Sequence, residues 1–112
     1  MCGIVGIYNL DQSLIDEKEL KSFNHSLSHR GPDAQGLYIN KNKNLGLGHN
    51  RLRIIDLNNN ADQPMVYKEN FVINYNGEIY NYLEIKSELE SLGHKFKTNC
   101  DTEIILASYV EW

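Results

Sequence analysis

The chain has 112 residues, 41% of them apolar, and its 11 basic and 15 acidic side chains leave a formal charge of −4. That length suits one domain, whose folding would bury about 60 to 70% of the surface exposed by the unfolded chain. No apolar run could cross a bilayer, the N-terminus lacks the pattern of a secretory signal, and no basic cluster is interleaved with aromatics, so neither membrane nor nucleic acid is expected as a partner and a cytoplasmic location is.

Cys2 to Tyr8 reads as a short buried strand and Asn9 to Ser13 as a polar turn. Asp16 can cap a helix, with Glu19 three residues on and an apolar stripe of Leu20, Phe23 and Leu27, and that helix is expected to end near His29. Arg30-Gly31-Pro32-Asp33 combines a φ-permissive glycine with a φ-locked proline and reads as a shaped loop. Two strands follow, Gly36 to Asn40 and Leu45 to His49, joined by a Lys/Asn turn; Arg51 to Leu57 continues extended and Asn58-Asn59-Asn60 turns. Phe71 to Tyr75 is a strand running into Asn76-Gly77, the dipeptide most favoured where a tight turn needs positive φ.

Tyr82, Ile85, Leu89 and Leu92 repeat at helical spacing, with Gly93 placed for a left-handed C-cap. His94 to Lys97 is a short strand candidate, and Thr102 to Trp112 reads as a helix opened by Asp101 as its cap. The fold class is therefore α+β, in one unit without repeats or linkers. The last helix is still running at Trp112, and a sheet of these strands alone would keep open edges, so a fragment is expected.

Cys2 carries the most specific chemistry. Removing Met1 would put a thiol and a free α-amine on one residue, with reference pKa values of about 8.5 and about 7.7 to 8.0, so a nucleophile and a base would share one carbon skeleton. The remaining signal lies in islands: MCGIVG at the start, HRGPD from His29, GHNRLRIIDL from Gly48, NGEIYN from Asn76 and DTE from Asp101. Together, in this order, they resemble the glutaminase domain of the class II glutamine amidotransferases, and within that group most resemble the glutamine-hydrolysing asparagine synthetases.

The resemblance implies an N-terminal nucleophile hydrolase-type sandwich of antiparallel sheets flanked by helices, incomplete here at its C-terminus. It makes Cys2 the nucleophile toward the side-chain amide of glutamine, with its own α-amine relaying the proton. Asn76 and Gly77 match the oxyanion pair, Arg51 the carboxylate-binding arginine, and Glu78 and Asp101 the acids that face the substrate ammonium. Backbone around Leu52, Ile54 and Ile55 lines the same pocket in the family. Chemistry asks for the same set, since free glutamine differs from a peptide side chain only in its two charged α-groups, and an arginine fork holds a carboxylate as lysine cannot.

Residues 1–112 then form a partial glutaminase domain, with no cofactor or metal. ATP and magnesium are expected only in a synthetase domain, absent here and covalently linked in the full-length protein; a homodimer is among the assemblies the resemblance allows. Each residue also has an ordinary reading alone. Cys2 would be a strand residue, Arg51 a surface strand residue, Asn76-Gly77 a hairpin turn, Glu78 a solvated turn residue and Asp101 a helix cap. Arg30 and Asp33 are expected to shape and pin the loop over the pocket.

Arg53 departs from the family, which commonly has a small or neutral residue there. It would share a face with Arg51, or turn out to solvent on a local bulge, which is the expectation. His25 and His29, four apart, read as a solvated helix end, and Cys100 as a reduced spectator. Three alternatives stay open: glutaminase domains that make glucosamine 6-phosphate or a phosphoribosylamine, a catalytically silent fragment, and a redox or interaction module built on Cys2 and Cys100.

Overall fold

The computed structural model describes every residue except Ile55, whose expected place in the pocket lies outside the described residues. Strands β1 (Gly3–Tyr8), β2 (Ala34–Ile39) and β3 (Leu45–Arg51) form an antiparallel sheet in the order β1-β3-β2. A second antiparallel pair, β4 (Met65–Tyr67) and β5 (Phe71–Ile73), precedes helix α2 (Tyr82–Ser91). Helices α1 (Glu17–Ser26) and α3 (Asp101–Glu111) complete the α+β architecture.

β3 is the central strand, and its glycines let α1 come close to its face. A Cβ on Gly48 would stand 2.8 Å from the Asn24 side-chain oxygen, so only glycine admits α1 there. Fully buried Asn50 then donates from Nδ2 to the Asn24 backbone oxygen at 2.6 Å and its side-chain oxygen at 2.8 Å. Asp16 caps α1 as expected, accepting from the backbone N–H groups of Lys18 and Glu19.

Helix α1 stops three residues short of its expected end. Leu27 closes it and a 3₁₀ turn continues over Ser28–Arg30, so His25 and His29 do not share a helical face. The inward stripe differs too: Leu20 is fully buried, but Phe23 is 47% exposed and Asn24 takes the inner place, because its polar atoms have a partner in Asn50.

A second core lies between α2 and α3, where Leu89, Ile104 and Ala107 are buried against Tyr67, Tyr82, Ile85 and Phe96. Helix α2 ends as its sequence predicts. Gly93 has φ +98°, its N–H donates to Glu90 O and that of His94 to Leu89 O, which together satisfy two terminal carbonyls.

Three further expectations are corrected. Neither Asn76 nor Gly77 has positive φ; the tight turn lies earlier, between β4 and β5, where Lys68 and Glu69 take φ of 47° and 62°. After β5 the chain does not fold back into a partner strand but crosses to α2, so Asn76-Gly77 is not a hairpin turn. His94 to Lys97 is no strand: the N–H groups of Lys97 and Thr98 end on the Glu103 carboxylate. Cys100, not Asp101, occupies the cap position of α3, and Asp101 opens the helix proper.

Candidate active site

A cleft of about 360 Å³ opens where the start of β1 and the end of β3 face the segment between β5 and α2. Cys2, Arg51, Leu52 and Ile54 line it from the sheet side. Asn76, Gly77, Glu78 and Asp101 line it from the other. The sequence-predicted site residues thus share one hollow, Ile55 lying outside the described residues.

The sheet wall is set by backbone pairing. Gly3 pairs with Asn50, which carries Cys2 alongside the chain that leaves β3. The Leu52 N–H donates to Cys2 Sγ at 3.3 Å, and the sulfur lies 3.7 Å from Leu52 O. Arg30 Nε donates to Cys2 O at 3.3 Å, while Asp33 accepts from Arg53 N at 2.8 Å and donates through its own N–H to Arg51 O. Arg30 and Asp33 therefore tether Cys2, at the start of β1, and the segment from Arg51 to Arg53 without lining the cleft.

Arg51 is buried, and its guanidinium is heavily engaged by the protein. Nη1 donates to Asp62 Oδ1 at 2.6 Å and to Asn58 O at 2.9 Å, and Nη2 donates to Asp56 O. Arg53 does not turn out to solvent. Its Nη2 donates to Asp62 Oδ2 at 3.2 Å and to Asn59 Oδ1 at 2.7 Å, because one carboxylate with two oxygens draws in both guanidinium groups. Asp56 also lines the cleft, and the N–H groups of Asn58 and then Asn99 hold its carboxyl below the ordinary aspartate range.

The opposite wall has no ladder to position it and is held by side chains. Asn74 Nδ2 donates to Val5 O at 3.1 Å and Gly48 O at 2.9 Å, tying the segment to β1 and β3. The Tyr75 N–H donates to Gln63 Oε1 at 2.6 Å, and that of Ile79 to Asp101 Oδ2 at 2.9 Å. His49 Nε2 lies 3.2 Å from Tyr75 O, and since a carbonyl only accepts, that nitrogen carries the proton. Burial first, with the charge of Arg51 adding and the Tyr75 bond and Asp62 opposing, lowers the His49 pKa and so favours the neutral ring.

The loop end of the cleft is electronegative. Burial raises the Tyr75 phenol pKa, and the charges of Asp101 and Glu78 raise it further. Cys100 lines the cleft as well, 3.3 Å from Thr102 Oγ1, and burial pushes its thiol up, which disfavours its thiolate; neither cysteine is in a disulfide.

Sequence reasoning missed the residues that position others: His49, Gln63, Asn74 and Asp62. Glycine-rich β3 carried a usable hint, since a narrow strand is approached closely on its faces and His49 and Asn50 within it must find partners. Nothing comparable marks Gln63 or Asp62. Among the described residues no three His, Cys, Asp or Glu group to hold a metal, and no helix is long and apolar enough to cross a membrane.

A family profile described as a glutamine amidotransferase domain matches residues 1–112. Asparagine synthetase [glutamine-hydrolyzing] 1 of Bacillus subtilis is 44% identical over 97% of this chain and 17% of its own length. Putative asparagine synthetase [glutamine-hydrolyzing] 2 of Methanocaldococcus jannaschii is 41% identical over 97% of this chain and 24% of its own. A probable asparagine synthetase of Dictyostelium discoideum is 39% identical over 97% of this chain and 20% of its own, so the chain spans about a fifth of these relatives. With the profile matched from end to end, the chain belongs to the glutamine amidotransferase domain family.

Proposed function

We propose that this chain hydrolyses glutamine to glutamate and ammonia with Cys2 as nucleophile. The observation that carries the reading is the single cleft that gathers Cys2, Arg51, Asn76, Gly77, Glu78 and Asp101. Once Met1 is removed, the Cys2 α-amine takes the thiol proton through a water, and the sulfur attacks the side-chain amide carbon. The amide oxygen becomes an oxyanion, accepting from the Asn76 side-chain amide and the Gly77 N–H; loss of one such donor typically costs about 10² to 10³ in rate.

Collapse of this intermediate expels ammonia, which leaves with the relayed proton. Water then hydrolyses the thioester and releases glutamate, so one glutamine and one water give one glutamate and one ammonia. Arg51 receives the substrate carboxylate, and Glu78 with Asp101 the ammonium. Leu52 and Ile54 line the pocket between them, with Ile55 assigned there by the family pattern. In this reading the two sheets are parts of an N-terminal nucleophile sandwich.

The names of the relatives extend the proposal to the whole protein: a covalently linked synthetase region passes the ammonia to aspartate activated by ATP, and asparagine results. In the same reading ATP and magnesium are assigned to that region, as the family resemblance implies. A homodimer and a cytoplasmic location are parts of the same reading.

A glutamine-mimicking electrophile tests it. Mass analysis is expected to place the label on a Met-free Cys2, with protection by glutamine, and Cys2→Ala to reduce glutamate release to background. Unchanged release from Cys2→Ala rules the mechanism out.

A further inference from the structure

Arg51 reaches the cleft with most of its donors already committed. A guanidinium has five N–H groups, one on Nε and two on each Nη. Asp62 and Asn58 O take both Nη1 hydrogens, and Asp56 O takes one of Nη2. Among the described residues, the Nε–H and one Nη2–H have no hydrogen-bond partner.

The tightest of these contacts is also an ion pair. Asp62 Oδ1 lies 2.6 Å from Nη1, and the two side chains are only 7% and 29% exposed. Alone, that pairing would cancel the charge on which recognition of a carboxylate depends. The second Asp62 oxygen, however, is held at 3.2 Å by Arg53, whose side chain is 24% exposed. Within this trio two cations and one anion leave a net charge of +1, and neither Asp62 nor Arg53 lines the cleft; the carboxyl of Asp56, which also interacts with the charge of Arg51, lies in the cleft itself.

We propose that Arg53 and Asp62 are a positioning couple for Arg51. Asp62 fixes which donors of Arg51 face the cleft, and Arg53 offsets the negative charge that Asp62 brings, so that Arg51 still attracts the carboxylate of a free amino acid. The couple acts on substrate affinity and leaves the chemical step alone. Its role rests on the hydrolysis of glutamine by Cys2, and it gives a purpose to the arginine that departs from the family pattern.

A double-mutant cycle on the full-length protein tests the charge balance. Arg53→Gln removes the offsetting charge and is expected to raise KM for glutamine about three- to tenfold with kcat unchanged, the size expected of a partly screened charge. Asp62→Asn keeps an oxygen to accept from Arg51 but deletes the negative charge. Added to Arg53→Gln, it is expected to bring KM back to within about twofold of the parent, since the trio again carries +1. A merely structural contact would instead make the second substitution worsen the first.

Calorimetric titration of glutamine into the same variants on a Cys2→Ala background reads affinity without turnover and is expected to follow the same order. Thermal melts establish that each variant is folded. An unchanged KM in Arg53→Gln, or a double variant no better than the single, overturns the couple while leaving glutamine hydrolysis by Cys2 intact. A parent protein without Cys2-dependent glutamate release sinks the proposed function, and the couple with it.

Discussion

The two walls of the cleft are built by different means. Cys2 is placed by the pairing of β1 with β3, along six residue pairs from Gly3↔Asn50 to Tyr8↔Leu45, and Arg51 by the pairing of β3 with β2 through Ala34. Asn76, Gly77 and Glu78 lie in no regular element and are held by His49, Gln63, Asn74 and Asp101, each through one or two bonds. A ladder shares its load over many bonds, whereas a wall hung from four side chains can be loosened by a single substitution. Changes to the scaffold of the loop wall are therefore expected to cost more than comparable changes around the sheet.

The contrast is tested most severely at Asp101. Asp101→Ala removes the acceptor for Ile79 N–H and a negative group of the cleft together, and kcat/KM for glutamine is expected to fall about 10- to 100-fold, as for loss of a charge-assisted hydrogen bond. Next comes Asn74→Ala, which strips a donor from two carbonyls and is expected to lower unfolding stability by about 1 to 3 kcal/mol in denaturant titration. On the sheet side, Asp16→Ala deletes the cap of α1; about 1 kcal/mol of stability should go, with KM for glutamine unmoved. Equal kinetic damage from Asp16→Ala and Asn74→Ala would erase the distinction between the walls.

The smallest effect is a pH dependence. His49 has a folded pKa below its ordinary 6.5, so the unfolded chain binds the proton more readily. The stability from the neutral ring is complete above 6.5 and is lost as pH falls through the lowered folded value. A parallel stability series with His49→Gln, whose amide can still donate to Tyr75 O, should lack this component.

The same division governs how much could be read from sequence. The cap of α1 and the glycine stop of α2 follow from capping and φ-permissive residues, and β1 is a strand as expected but alternates, with Ile4 and Tyr8 exposed rather than buried. The membership of the cleft is what the family resemblance implies. The hidden part depends on partners remote in sequence. Asp62 and Arg53 meet only because the chain turns between them, Gln63 reaches Tyr75 and Thr102 at once, and Asp101 exchanges a cap role for a bond to Ile79. The Asn76-Gly77 dipeptide misled for a similar reason. Its propensity for a tight turn is real, yet the reversal that the sheet required had already been made at Lys68-Glu69.

In the stretch before α3, acids take the place of a neighbouring strand. The amides of Lys97 and Thr98 end on Glu103, and that of Asn99 on Asp56, forty-three positions upstream. Its course is thus dictated from outside, while the side chains of Lys95, Lys97 and Asn99 are exposed, Asn99 accepting only a long 3.4 Å bond from Lys86 Nζ. Such a segment is free to drift in spelling while keeping its path, so a saturation library should accept almost any residue at those three places and very few at Glu103 or Asp56.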